Sequence, residues 1–251
     1  MLDQQQSSIA GKVNLFLALD IDEFDKIKVI LPSLEANIQG IKVGLEFLYM
    51  HGWQKLIEIR QNYQLFIDVK LHDIPNTVAK AVRALVRNCH PNIITVHAAG
   101  GGAMLKSAVL EAQEEAYRLS IPAPDLIAVT VLTSLEKNDL NDIGWPNSSL
   151  AQVLQLAKLA FNSGVNGVVC SGQEVGLLRA VLGPKIRLIV PGIRPTGDAA
   201  FDQKRITTPT QAILDGATDL VVGRPIINAS NPPRAAQLIQ QQITDAVCRR
   251  V

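Results

Sequence analysis

Eight short runs of mostly β-branched and apolar residues punctuate this chain, and longer stretches with helical spacing separate them. The runs are Val13–Leu19, Ile41–Leu45, Leu65–Val69, Ile93–Val96, Leu126–Leu132, Gly167–Cys170, Arg187–Val190 and Leu220–Val222. Several are apolar almost throughout, the pattern of parallel strands covered on both faces. In the stretch 149–161, Leu150, Val153, Leu154, Ala157 and Phe161 recur at steps of three and four, which predicts an amphipathic helix. Eight such strand–helix units in 251 residues of 47% apolar content predict one α/β domain spanning residues 1–251. Closure as a single (β/α)8 TIM barrel fits that count and length. An open doubly wound sheet is the alternative, but no run is followed by a GxGxxG turn. The longest irregular piece, 192–209, lies between the seventh and eighth runs, where a long loop is expected to act as a lid.

Charge excludes some partners. Lys and Arg total 24 against 23 Asp and Glu, so no net field favours nucleic acid or an anionic membrane. No apolar run approaches the roughly 20 residues that cross a bilayer. The stretch 1–13 has no apolar signal-peptide core, which predicts a cytoplasmic protein. Cys89, Cys170 and Cys248 are odd in number and widely spaced, which predicts incidental thiols in a reducing compartment.

In a barrel the active site lies at the C-terminal ends of the strands, and several runs here end in charge. Within Phe66-Ile67-Asp68-Val69-Lys70-Leu71-His72-Asp73-Ile74-Pro75-Asn76-Thr77, residues two apart share a strand face. Asp68 and Lys70 are thus expected to project into the barrel mouth, with Val69 and Leu71 toward the helices. Lys42, in the second run, lies one strand away, at the ~5 Å spacing of neighbouring strands. Asp20 closes the first run in the same mouth. Four charges in a core otherwise built of Val, Ile and Leu are costly unless paired or used. A buried ion-pair network that only fills the barrel top is the bland alternative, but apolar residues serve that purpose as well or better.

A second cluster follows the last two strands: Pro191-Gly192-Ile193-Arg194-Pro195 and Gly223-Arg224-Pro225. These are the loops that commonly hold a phosphate in such barrels. Gly223 allows close backbone approach, and Arg224 can add a charge-assisted contact. His97 ends the fourth run and is expected to be a supporting hydrogen-bonding group. His51, His72 and His90 lack HExxH or Cys/His spacing, although Asp68, His72 and Asp73 remain conceivable ligands for a divalent ion.

The run from Asp68 to Thr77 resembles the DxKxxDIPNT signature of the orotidine 5'-monophosphate decarboxylase family. Leu19-Asp20, Lys42-Val43-Gly44, Val96-His97-Ala98, Val131-Leu132-Thr133-Ser134, Pro191-Gly192-Ile193-Arg194 and Val222-Gly223-Arg224 stand in that family's order. DxKxxD alone is shared with sugar-phosphate relatives, whereas the IPNT extension with the later segments is specific.

The resemblance implies conversion of orotidine 5'-monophosphate (OMP) to UMP and CO2, with no metal and no cofactor. It implies that Lys42, Asp68, Lys70 and Asp73 form an alternating charge array in which Lys70 donates a proton to C6. It also implies a homodimer with shared sites, in which Asp73, Ile74 and Thr77 serve the partner subunit's pocket. Asp20, Lys42, Asp73 and Thr77 would hold the ribose hydroxyls, and Thr133, helped by Ser134, would read the pyrimidine edge. Arg194, Gln203, Gly223 and Arg224 would take the phosphate. A magnesium-dependent sugar-phosphate decarboxylase or aldolase of the same barrel group is the competing enzyme. A non-catalytic nucleotide-binding barrel is the competing non-enzyme.

Overall fold

The computed structural model describes residues 13–21, 24–194 and 207–250. The eight runs form eight parallel strands: β1 (Asn14–Leu19), β2 (Gly40–Val43), β3 (Gln64–Leu71), β4 (Ile93–His97), β5 (Asp125–Val129), β6 (Gly167–Val169), β7 (Arg187–Val190) and β8 (Asp219–Val222). They pair in sequence order, and β8 pairs back onto β1, so the barrel closes. Helices α1 (Phe24–Leu34), α2 (Leu45–Arg60), α3 (Pro75–Cys89) and α4 (Gly101–Leu119) cover the first half. The second half carries α5 (Lys137–Asp142), α6 (Ser149–Asn162), α7 (Val175–Leu182), α8 (Pro209–Leu214), α9 (Arg224–Ile227) and α10 (Pro232–Arg250). The single (β/α)8 barrel expected from the alternation is therefore observed, with the short α5 and α9 added after β5 and β8. No helix among the described residues is long and apolar enough to cross a membrane.

Strand ends differ from the expectation where apolar residues continue past the sheet. Leu45 opens α2 instead of ending β2, and β5 stops at Val129, leaving the segment 130–135 as a loop at the barrel mouth. The helix expected across 149–161 forms, capped by Ser148, whose hydroxyl accepts from the Ala151 N–H at 3.3 Å. Its buried face is Val153, Leu156, Ala157 and Ala160, whereas Leu150 and Phe161 are exposed. Small alanines let the helix sit close to the strands, and the bulkier residues are turned to its flanks.

Two apolar layers divide the core. The larger lies between strands and helices and includes Val69 and Leu71 at its margin, as the strand alternation predicts. The smaller fills the barrel interior with Phe16, Ala18, Phe66, Ile93, Ile127, Ile189 and Val221. Phe16 and Phe66 meet edge to face at 5.6 Å. Gly40 makes that possible, because a Cβ there would stand 2.7 Å from the Phe16 ring and 2.5 Å from the Gln64 carbonyl. On the outside, Arg83 on α3 grips Glu111 on α4 with two hydrogen bonds, and Arg87 pairs with the buried Glu115 one turn on. The chain that leads from β3 into α3 is thereby anchored.

The N-terminal end of the barrel is closed by charge. Arg187 at the start of β7 donates to Asp219 on β8 and Asp125 on β5. Asn14 and the Thr218 hydroxyl donate to the same Asp219 carboxylate at 2.8 and 2.7 Å. Burial pulls the Arg187 guanidinium down, but Asp219 and Asp125 more than offset this and hold it above its ordinary range. Asp219 has no exposed surface. Arg187→Ala should therefore leave a buried carboxylate without its cation and lower unfolding free energy by about 3–5 kcal/mol. Urea denaturation measures this, and a loss below about 1 kcal/mol would show that the cluster is not structural.

Candidate active site

The C-terminal ends of β1, β2 and β3 carry an alternating row of charges. Register sets Ala18 of β1 beside Lys42 of β2, and Lys42 beside Phe66 of β3. Asp20, just past β1, accepts two hydrogen bonds from the Lys42 Nζ, each 2.9 Å. The same Nζ lies 3.9 Å from Asp68 Oδ2, and that oxygen accepts from Lys70 Nζ at 2.8 Å. The order in space is acid, base, acid, base. The Lys42 side chain is 9% exposed and that of Lys70 is 35% exposed, so Lys70 is the more accessible ammonium.

Lys70 reaches this position through an irregular backbone. The β3–β4 register shifts between Ile67 and Leu71, and Lys70 has a φ of 50° in the left-handed region that non-glycine residues seldom occupy. A bulge of this kind re-aims a side chain. Strand alternation thus gave the right side for Lys70, but the ammonium is presented by a bulge and not by a regular pleat. Thr95 on β4 is fully buried opposite it and hydrogen-bonds both the Lys70 N–H and the Asp68 carboxylate.

Asp20, Lys42, Asp68 and Lys70 border a cavity of about 440 Å³, a size suited to a small ligand. Its floor is the apolar barrel interior, including Ala18, Phe66 and Val221. Arg194, after β7, and Gly223 and Arg224, after β8, line the same cavity, as does Thr133 in the loop after β5. Gly192, with a φ of 75°, turns the chain out of β7, and the buried Arg194 follows, its N–H donating to the Thr207 carbonyl at 3.0 Å. A bridge between Ile193 and Thr207 joins the two ends of the expected lid. The interior of that lid, 195–206 with Gln203, lies outside the described residues. At Gly223 a Cβ would come within 3.3 Å of the Ala18 carbonyl oxygen, so glycine lets the turn into α9 close on β1.

Other expected site residues stand outside this cavity in the single chain. Asp73, Ile74 and Thr77 are exposed at the start of α3, with Ile74 65% exposed and Asp73 Oδ1 accepting from the Ile74 N–H. Ser134 is exposed and does not line the cavity, unlike its neighbour Thr133. The three residues left open as metal ligands have separate engagements. Asp68 is bonded to Lys70 and Thr95, Asp73 to its own turn, and His72 stacks on His97 with ring centroids 5.2 Å apart. Among the described residues no three His, Cys, Asp or Glu side chains are grouped to hold a metal ion. His97 Nδ1 accepts from the Ala99 N–H at 3.2 Å. Burial first, then the neighbouring His72 and Lys70, pushes the His97 imidazole below its ordinary range, consistent with a neutral supporting ring. Cys89 and Cys170 are buried free thiols, and Cys248 is exposed.

Sequence reasoning missed two polar residues. Asn228, at the C-terminal end of α9, also lines the cavity. Its signal was its place one turn after Arg224, which brings it back to the same helix face. Thr95 read as one more β-branched strand residue, and only the bulge opposite it reveals its second role.

Residues 13–239 match the family described as "Orotidine 5'-phosphate decarboxylase / HUMPS family". The protein named orotidine 5'-phosphate decarboxylase from Sphingopyxis alaskensis is 46% identical over 227 residues, which are 90% of this chain and 97% of that one. Its namesake from Rhodospirillum rubrum is 44% identical over 231 residues, 91% of this chain and 93% of that one. The crystal structure of orotidine 5'-phosphate decarboxylase from Lactobacillus acidophilus superposes with a TM-score of 0.80 at 35% identity, covering 92% of this chain and 99% of that one. The chain belongs to the orotidine 5'-phosphate decarboxylase / HUMPS family.

Proposed function

We propose that this chain is a carboxy-lyase that converts OMP to UMP and CO2 in pyrimidine biosynthesis, in the cytoplasm. The observation that carries the reading is the charged row ending in an accessible Lys70, in a cavity that Arg194 and Arg224 also line from the loops after the last two strands. A nucleotide offers the matching chemistry, a base at one end and a phosphate at the other.

When the C6–carboxylate bond breaks, its electron pair stays on C6 in an sp2 orbital that the ring does not delocalise well. A preorganised cation beside that carbon stabilises the charge as it develops. Lys70 supplies this cation and then the proton: a new C6–H bond forms, and the neutral amine regains a proton from water. Asp68 holds Lys70 in place, and Lys42 anchors Asp68 from the other side. Asp20 and Lys42 hold ribose hydroxyls, and Thr133 meets the pyrimidine edge. Arg194, the Gly223 backbone and Arg224 take the phosphate, with Gln203 as the expected lid contact. Binding energy from the phosphate, remote from the reacting carbon, serves to hold the base in this charged and dry setting.

Asp73, Ile74 and Thr77 fit a second copy of the chain better than their own cavity. They are exposed, they lie on a segment anchored by the α3–α4 ion pairs, and an exposed Ile74 is the type of residue an interface covers. In the resulting homodimer Asp73 and Thr77 complete the ribose site of the neighbouring subunit.

Lys70→Ala should retain the fold and UMP binding while kcat falls by at least about 1000-fold, the loss of electrostatic and proton-transfer contributions together. Steady-state kinetics decides this, and near-normal kcat would remove Lys70 from its role. Arg224→Ala should raise KM for OMP far more than for orotidine lacking the phosphate, and equal losses on the two substrates would contradict the phosphate assignment. Inactive Lys70→Ala mixed with inactive Asp73→Ala should recover activity, because one site in each heterodimer is intact. No recovery despite subunit exchange seen by native mass spectrometry would refute the shared site.

A further inference from the structure

We propose that Thr95 is a positioning residue for decarboxylation: its buried hydroxyl holds Lys70 and Asp68 at once and sets the direction of the Lys70 ammonium. The proposal rests on the reading of Lys70 as the proton donor. Between the paired positions Ile67–Ile94 and Leu71–Val96, the three residues Asp68, Val69 and Lys70 of β3 face the single residue Thr95 of β4. The regular ladder is broken there, and the Lys70 N–H would be left without a strand partner. It donates instead to Thr95 Oγ1 at 2.9 Å. The same oxygen lies 3.0 Å from Asp68 Oδ1.

The direction of each bond follows from the chemistry of the groups. An amide N–H only donates and a carboxylate only accepts, so the one hydroxyl receives from Lys70 and gives its proton to Asp68. Asp68 is then held through both oxygens, Oδ1 by Thr95 and Oδ2 by Lys70 Nζ at 2.8 Å. Lys70 is held at both ends, its backbone by Thr95 and its ammonium by Asp68. The ring of contacts runs from hydroxyl to carboxylate to ammonium and back along the Lys70 side chain to its own N–H. A lysine at φ 50° is in a costly conformation that persists only where its surroundings impose it. Thr95 is 0% exposed and does not line the cavity, so it acts through the two residues it holds.

Thr95→Val keeps the shape and deletes the hydroxyl; Thr95→Ser keeps the hydroxyl and deletes the methyl. Thr95→Val should lower kcat by about 10- to 100-fold, the scale of a displaced reacting group. KM for OMP and the affinity for UMP should stay within about threefold, because ground-state binding does not use this hydroxyl. Thr95→Ser should keep at least about half of the normal kcat, since the positioned hydroxyl remains. If Thr95→Val does not fold, Thr95→Ala removes the same hydroxyl, and its comparison with Thr95→Ser gives the same decision. A purely structural hydroxyl would lower the Tm of Thr95→Val and leave kcat unchanged, which overturns the proposal. Equal impairment of the serine and valine variants would also overturn it, by assigning the effect to methyl packing. Lys70→Ala is the reference: if it is inactive while Thr95→Val is normal, only the role of Thr95 falls. If Lys70→Ala keeps normal kcat, the reading beneath the proposal falls and the proposal with it.

Discussion

The Lys42 ammonium, shared between Asp20 and Asp68 at the mouth of the barrel, is the contact on which the rest of the site depends. A buried cation is tolerated only when opposite charge surrounds it. Lys42 has that surround because β1 and β3 flank β2 in parallel register within the barrel. Asp68 turns Oδ2 toward this ammonium and accepts from Lys70 through the same oxygen. Charge at the strand ends is therefore distributed in a graded row, from a buried cation to one that faces the cavity. The barrel supplies rigidity, and the row supplies direction.

The two ends of the barrel use charge for different purposes. At the N-terminal end the Arg187 cluster is saturated, with Asp219 receiving Arg187, Asn14 and Thr218 and exposing no surface. At the C-terminal end the row stops at Lys70, whose ammonium has one carboxylate partner among the described residues and a cavity beside it. Saturated charge holds strands together, whereas the open-ended row leaves room for a ligand to bring further charge. The bulge in β3 belongs to the same design. It departs from regular geometry where the chain presents the more accessible cation of the row, and the hydroxyl of Thr95 takes up the Lys70 N–H.

Much of this was legible in the chain itself. The eight strands follow from continuous apolar runs, because a strand covered on both faces has no reason to alternate. Asp20, Lys42, Asp68 and Lys70 were legible because charge at the end of such a run conflicts with burial. Boundaries were less so: Leu45 looks like strand but opens α2, and Val131 and Leu132 are apolar yet lie beyond β5, since hydrophobicity does not say where hydrogen bonding to a neighbour ends. The α6 face was misjudged at Leu150 and Phe161 because small alanines, not the largest side chains, make the close contact. The bulge and Thr95 were hidden for a deeper reason. Both depend on the register between β3 and β4, a relation between distant segments that no local pattern encodes. The places of Asp73, Ile74 and Thr77 likewise concern a surface that one chain leaves uncovered.

A crystal structure with UMP bound would test most directly whether an ammonium waits beside the reacting carbon. The account predicts Lys70 Nζ at about 3–3.5 Å from C6, the separation of a reactive approach, with Asp68 still bonded to it and the phosphate against Arg194 and Arg224. A complex in which C6 faces away from the Asp20–Lys42–Asp68–Lys70 row, or in which the phosphate occupies the Lys70 side of the cavity, would contradict it.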